Sequence, residues 1–171
     1  RRKIAYLYAY EGGEKRGNAG FVQAEDRGGI CRLAVHLRCY SRSGEDPGKV
    51  YLYFRHRQQL VGIYLGALKN RNGALEWQGT FSSDDIQGKG IRFGQTEGIW
   101  IQRPGGKEYV AEWDDYPVDI SRFVIYPKGG EKCIRCPWFG KCERSSVDEA
   151  DRRGTVYEGS DPAGQKSREA E

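Results

Sequence analysis

The chain is expected to fold as an all-β domain, an antiparallel sandwich or partly open barrel of seven to nine short strands. Three observations carry that expectation. The sequence is rich in aromatic and turn-forming residues, with eleven Tyr, six Phe, four Trp and 24 Gly among 171 residues, a mixture suited to pleated, half-buried surfaces joined by tight turns. Apolar and polar residues alternate with period two along several segments. No stretch before residue 127 keeps a helical period for three turns. Many short strands with a turn signal every eight to twelve residues close most economically as a sandwich or barrel.

In the first segment, Ile4 to Tyr10, the residues Ile4, Tyr6, Tyr8 and Tyr10 share one face and Ala5, Leu7 and Ala9 the other. Gly12-Gly13 ends it, and extended character resumes over Gly20–Ala24. After Gly28-Gly29 comes the clearest alternation in the chain: Cys31, Leu33, Val35, Leu37 and Cys39 on one face, Arg32, Ala34, His36 and Arg38 on the other. A polar loop, Ser41 to Gly48, leads to Val50–Phe54. Arg55–Gln58 then turns the chain into Leu60–Leu65. Asn72-Gly73 between apolar stretches predicts a hairpin, because both central positions tolerate positive φ. Leu75–Trp77 follows it, and Ser82–Ile86 is expected to cap one short helical turn. Gly98–Gln102 and Glu108–Trp113 flank a Pro104-Gly105-Gly106 turn, and Phe123–Tyr126 closes the series before Pro127.

The organisation expected is a β-rich domain over 1–126, a cysteine-containing segment over 127–144, and a disordered tail or linker over 145–171. That last stretch is dominated by Ser, Asp, Glu, Arg and Gly. The sequence contains no Met, which predicts that the chain lacks its start. No apolar run approaches the roughly 20 residues that span a bilayer, so no membrane association is expected and the location expected is cytoplasmic. The net charge of +4 comes from a cation surplus before residue 130. A surplus that small is compatible with nucleic acid without arguing for it.

The pattern with the most specific chemical reading is Cys133-Ile-Arg-Cys136-Pro-Trp-Phe-Gly-Lys-Cys142. Two thiolates on a C-x2-C turn and a third six residues later supply three corners of a tetrahedral metal site. Cys133, Cys136 and Cys142 are therefore the candidate metal ligands, for zinc or for an iron–sulfur cluster. The local arrangement is similar to cysteine triads of cluster-bearing nucleases and of the auxiliary domains of some radical enzymes, which draw a fourth cysteine from elsewhere. Cys31 and Cys39 lie about 26 Å apart at ~3.3 Å per residue, so both cannot serve one metal, and each reads as a small core residue. His36 and His56 read as surface histidines. The remaining alternative is that the triad carries no ligand.

The carboxylates of Glu112-Trp113-Asp114-Asp115, with Asp119, invite an acid–base or cation-binding reading. Asp-Asp-x-Pro is, however, ordinary turn chemistry, and adjacent strand residues point to opposite faces. Tyr51, Tyr53, Arg55 and Arg57 alternate on one strand face, as do Tyr6, Tyr8 and Tyr10 on another. Such interleaving can stack bases, yet tyrosines are also recruited to pack half-buried sheets. No phosphate-binding glycine loop and no catalytic triad signature occurs.

The run Tyr6–Arg16 (YLYAYEGGEKR), continuing through Asn18–Val22, resembles the opening of a domain family of unknown function from clostridia-like Firmicutes. Val50–Tyr53, Val61–Gly66 and Glu112–Asp115 are similar to that family's later landmarks, so the resemblance covers about residues 3–126. It implies a bacterial, intracellular protein and no assigned activity. The function expected is a non-enzymatic interaction or binding module, whose partner is another protein or another domain of a longer chain. The alternative is a metal-containing, nucleic-acid-associated protein.

Overall fold

The structure, a computed structural model, describes residues 1–39 and 41–127. The cysteine segment and tail expected beyond Pro127 lie outside the described residues. The chain is all-β, with about 62% of the described residues in strands and no α-helix among them. Residues Arg1–Arg55 and Gln59–Ile125 form one compact unit.

Ten strands are present among the described residues: β1 (Arg2–Glu11), β2 (Glu14–Arg27), β3 (Ile30–Leu37), β4 (Lys49–His56), β5 (Gln59–Ala67), β6 (Lys69–Arg71), β7 (Ala74–Ser82), β8 (Thr96–Arg103), β9 (Lys107–Glu112) and β10 (Phe123–Ile125). They form a single sheet in the order β10-β5-β4-β8-β9-β1-β2-β3-β7-β6, curled into a half-barrel. The architecture is thus the partly open barrel of the two expected alternatives. The count exceeds seven to nine because β6, only three residues long, hides in the sequence inside a turn.

The curl brings the two ends of the hydrogen-bonded order together. β5 lies near one end and β6 at the other, yet only Leu68 separates them, and its amide donates to the Gly48 carbonyl at 2.9 Å. Trp77 of β7 bridges the gap, its indole occupying the space that a Cβ on Gly66 of β5 would need. Inside the curl lie Leu7, Val22, Leu33, Val35, Leu37, Leu52, Ile63, Leu75, Ile99 and Ile101, all essentially inaccessible. They are the inward residues of alternating strands, as period-two patterning requires.

Local chemistry sets the connections. Asn72 and Gly73 both have positive φ, 52° and 80°, the two-residue hairpin their identities predict. Ser82–Ile86 behaves differently from expectation. A 3-10 turn forms at Ile86–Gly88, but no side chain caps it; Asp85 instead accepts from the Gly90 amide at 2.6 Å. Ile86 and Phe93, both buried, come from this loop.

Candidate interaction surface

The outer face of the curled sheet is divided in two. Over β4, β5, β8 and β9 it is covered by the chain's own segment 113–125. Tyr10, Tyr51, Tyr53, Leu60, Trp100 and Val110 form an outer apolar cluster, and Val118, Ile120 and Phe123 pack on it. The Phe123 ring stacks on Trp100, centroids 4.3 Å apart and planes at 10°, and meets Tyr53 edge-on at 5.0 Å. Parallel pairing of β10 with β5 (Phe123 opposite Leu60, Val124 opposite Val61) fixes the register. Arg55 clamps the covering segment. Its guanidinium reaches both Glu97 carboxylate oxygens at 3.0–3.2 Å and donates to the Pro117 carbonyl at 3.1 Å.

Among the described residues, no segment covers the other half, over β1, β2, β3 and β7. Strand register builds rows across it: Tyr6, Phe21, His36 and Glu76 in one, Ile4, Gln23, Ala34 and Gln78 in the next, and then Glu25, Arg32 and Thr80 with Arg2. Ile4 is 54% exposed and Tyr6 59%. Phe21 lies flat against the His36 ring, centroids 5.2 Å apart, and Glu76 Oε2 holds His36 Nδ1 at 2.9 Å. The rim adds exposed Arg2, Arg32 and Arg38. The surface is apolar at its centre, cationic at its edge, and ordered by its own contacts.

The division decides the aromatic readings. Tyr51 and Tyr53 are buried under the covering segment and cannot stack an external base. Tyr8, on the same strand face as Tyr6, is half-buried with Lys15 Nζ 4.3 Å over its ring, and Tyr10 is buried. Only Tyr6 of that stripe remains exposed. Phe21 and Ile4 join it, and neither stands out in the sequence as a surface residue. Their signal is the β1–β2 register, in which two irregularities move Tyr6 opposite Phe21.

The acidic stretch does not converge. Glu112 pairs with Lys15 at 3.7 Å, and its carboxyl is held above the ordinary range by burial first, with Lys15 opposing. Asp114 and Asp115 are exposed. Asp119 caps a turn, its Oδ1 accepting from the Ser121 amide at 3.1 Å and hydroxyl at 2.7 Å. Among the described residues, no three His, Cys, Asp or Glu side chains come together in a way that would hold a metal ion.

Cys133, Cys136 and Cys142 lie outside the described residues. Cys31 is fully buried inside the curl, where burial pushes its thiol up to about 12, with Asp26 adding. Cys39 differs from the expected core position, because β3 ends at Leu37. It is half-buried beside Tyr109, whose phenol burial holds above its ordinary value, with the Cys39 thiol adding and Arg103 opposing. His36 belongs to the outer face, and His56 ends β4. No helix among the described residues is long and apolar enough to cross a membrane. Comparisons of the chain with family models, with curated proteins and with solved structures find no match.

Proposed function

We propose that the domain is a non-enzymatic interaction module that presents the outer face of β1, β2, β3 and β7 to another protein. The observation that carries this reading is the division of one sheet face. Its aromatic half is sealed by residues 113–125, while Ile4 and Tyr6 on the other half stay more than half exposed. Large apolar side chains grouped on a surface and rimmed by polar groups are typical of docking sites. Arg2, Arg32 and Arg38 around the patch favour a partner whose apolar contact surface is bordered by carboxylates.

The test is site-specific photocrosslinking. A photoreactive phenylalanine analogue replaces Tyr6 in one variant and Arg92, away from the patch, in another, both in cells that naturally make the chain. The reading expects a discrete adduct from position 6 that disappears on adding Phe21→Glu. Adducts from position 92 alone, or an adduct at position 6 that is a second copy of this chain, would refute a separate protein partner. A nucleic-acid adduct at position 6, lost with rising salt, would favour the alternative partner class. For the cysteine arm we propose a metal site at Cys133, Cys136 and Cys142. Elemental analysis of anaerobically purified protein beside a Cys133→Ser/Cys136→Ser variant tests it, and absence of both zinc and iron from the unsubstituted protein would exclude it.

A further inference from the structure

We propose that the protein partner docks by adding an extended, acidic strand to the free edge of β1 beside Ile4. The inference rests on the docking reading above and says what kind of segment that same site takes.

β1 is paired along its whole length on one side only. β2 accompanies it from Arg2 to Glu11, whereas β9 pairs only with Leu7–Tyr10, its last pair setting Ala111 opposite Leu7. After Glu112 the chain turns toward β4 and β5, where Pro117 meets Arg55 and Phe123 lies opposite Leu60, on the far side of β9 from β1. The Asp26 amide donates to the Arg1 carbonyl at 2.8 Å, which makes Arg1 and Asp26 a hydrogen-bonded pair. Such pairs alternate with non-bonded ones along an antiparallel ladder. Lys3 and Ala5 therefore turn their backbone groups toward β2, and Arg2 and Ile4 turn theirs toward the side that β9 leaves open. Among the described residues, these outward N–H and C=O groups of Arg2 and Ile4 have no hydrogen-bond partner. A row of unpaired backbone donors and acceptors is a template for an added strand.

Charge selects the occupant. Arg1, Arg2 and Lys3 follow one another on this edge, and the ion pairs of the described residues include none of them. Glu25 and Asp26 lie across from Arg2 and Arg1 on β2, but Arg27 and Arg32 stand beside them, so this corner keeps a positive surplus. Two copies of the chain paired along this edge would bring the same three cations together from both strands, which disfavours self-association. A strand carrying carboxylates would neutralise them instead. Ile4 and Tyr6, 54% and 59% exposed, share the outer face at alternate positions, so apolar residues opposite them would pack there. The segment that fits in antiparallel register has apolar residues at alternate positions and ends in carboxylates.

The full chain, isotope-labelled, is titrated with the peptide acetyl-Val-Thr-Val-Glu-Glu-amide, whose residues match Tyr6, Ala5, Ile4, Lys3 and Arg2 in that register. Acetyl-Val-Thr-Val-Lys-Lys-amide is the control. Before addition, the Ile4 amide should exchange with solvent at least about tenfold faster than the Ala5 amide, which faces β2. The acidic peptide should shift the Ile4 amide resonance saturably and slow its exchange about tenfold at saturation. The lysine peptide should bind about tenfold more weakly. Ile4→Pro, which removes an outward N–H without breaking a β1–β2 bond, should abolish binding. The proposal is overturned by no saturable shift, by equal affinity for the two peptides, or by an Ile4 amide already protected in the free chain. Protection that appears with protein concentration alone would make a second copy the occupant and would overturn it too. A peptide that shifts Tyr6 and Phe21 but leaves Ile4 exchange unchanged would sink strand addition while the docking face stands.

Discussion

Removing the Phe123 ring tests the claim that residues 113–125 are an integral layer of the domain. Phe123 is half-buried, stacked on Trp100 at 4.3 Å and edge-on to Tyr53 at 5.0 Å. Two aromatic pairs at ~0.5–1.5 kcal/mol each, added to about 1 kcal/mol for transfer of a half-buried ring, give a loss of about 3 kcal/mol for Phe123→Ala. With a urea m-value on the order of 1.5 kcal/mol/M for a domain of this size, the midpoint should fall by about 2 M. Phe123→Leu keeps most of the buried area and should lose about half as much. The assay is urea unfolding of the full chain, followed by tryptophan emission and by far-ultraviolet circular dichroism. The two signals should stay coincident as the transition moves. A Phe123→Ala midpoint that moves by less than about 0.3 M, or an emission change that precedes loss of the sheet, would refute the view that this segment is part of the cooperative fold.

Three further outcomes follow from particular contacts. The Tyr53 hydroxyl is buried and has no hydrogen-bond partner among the described residues, so Tyr53→Phe should leave stability equal or raise it by about 1 kcal/mol in urea unfolding, and a clear loss would reveal a further partner. A Cβ on Gly62 would sit 2.9 Å from Trp100 Cε3 and 3.2 Å from Tyr51 Cβ; Gly62→Ala should therefore cost about 1–3 kcal/mol by overpacking, with a matching fall in thermal midpoint. The Glu108 carboxyl is raised by burial, with the Trp100 indole opposing. The folded state then binds its proton more tightly than the unfolded chain, so this stabilisation is complete below the ordinary carboxylate range and is lost as pH rises through the raised value. Glu108→Gln should accordingly gain stability near neutral pH and gain little at pH 4, measured as unfolding midpoints at both values.

Much of the fold was legible because it depends on local signals. Alternation located the strands that supply the core, and Asn72-Gly73 announced its hairpin through backbone preference alone. The strand ending at Leu37 was overrun to Cys39 because alternation continues past the last ladder bond. Only hydrogen-bond partners reveal that end. The Tyr51-Tyr53-Arg55 stripe shows the same limit. Period-two spacing shows that these side chains share a face, but not whether a segment 60 to 70 residues later returns to cover it.

The open patch shows most clearly what tertiary structure adds. An uninterrupted register from the Glu11–Glu14 pair would set Tyr6 opposite Ala19. Two bulges, each adding one residue on the β2 side, bring Phe21 there instead, and bulges leave little trace in a single sequence. The buried Arg103 was equally hidden, since its desolvation arises where the Ser41–Gly48 loop meets the β8–β9 turn, more than fifty residues apart in the chain.

By itself, the sequence determined that the domain is all-β, where most strands begin, and which residues alternate inward, because these follow from backbone preference and side-chain period. The tertiary structure decided that one curled sheet rather than a sandwich forms. It also decided which half of the outer face segment 113–125 covers. Those properties depend on contacts between distant segments, and local patterning carries no information about which distant segment arrives.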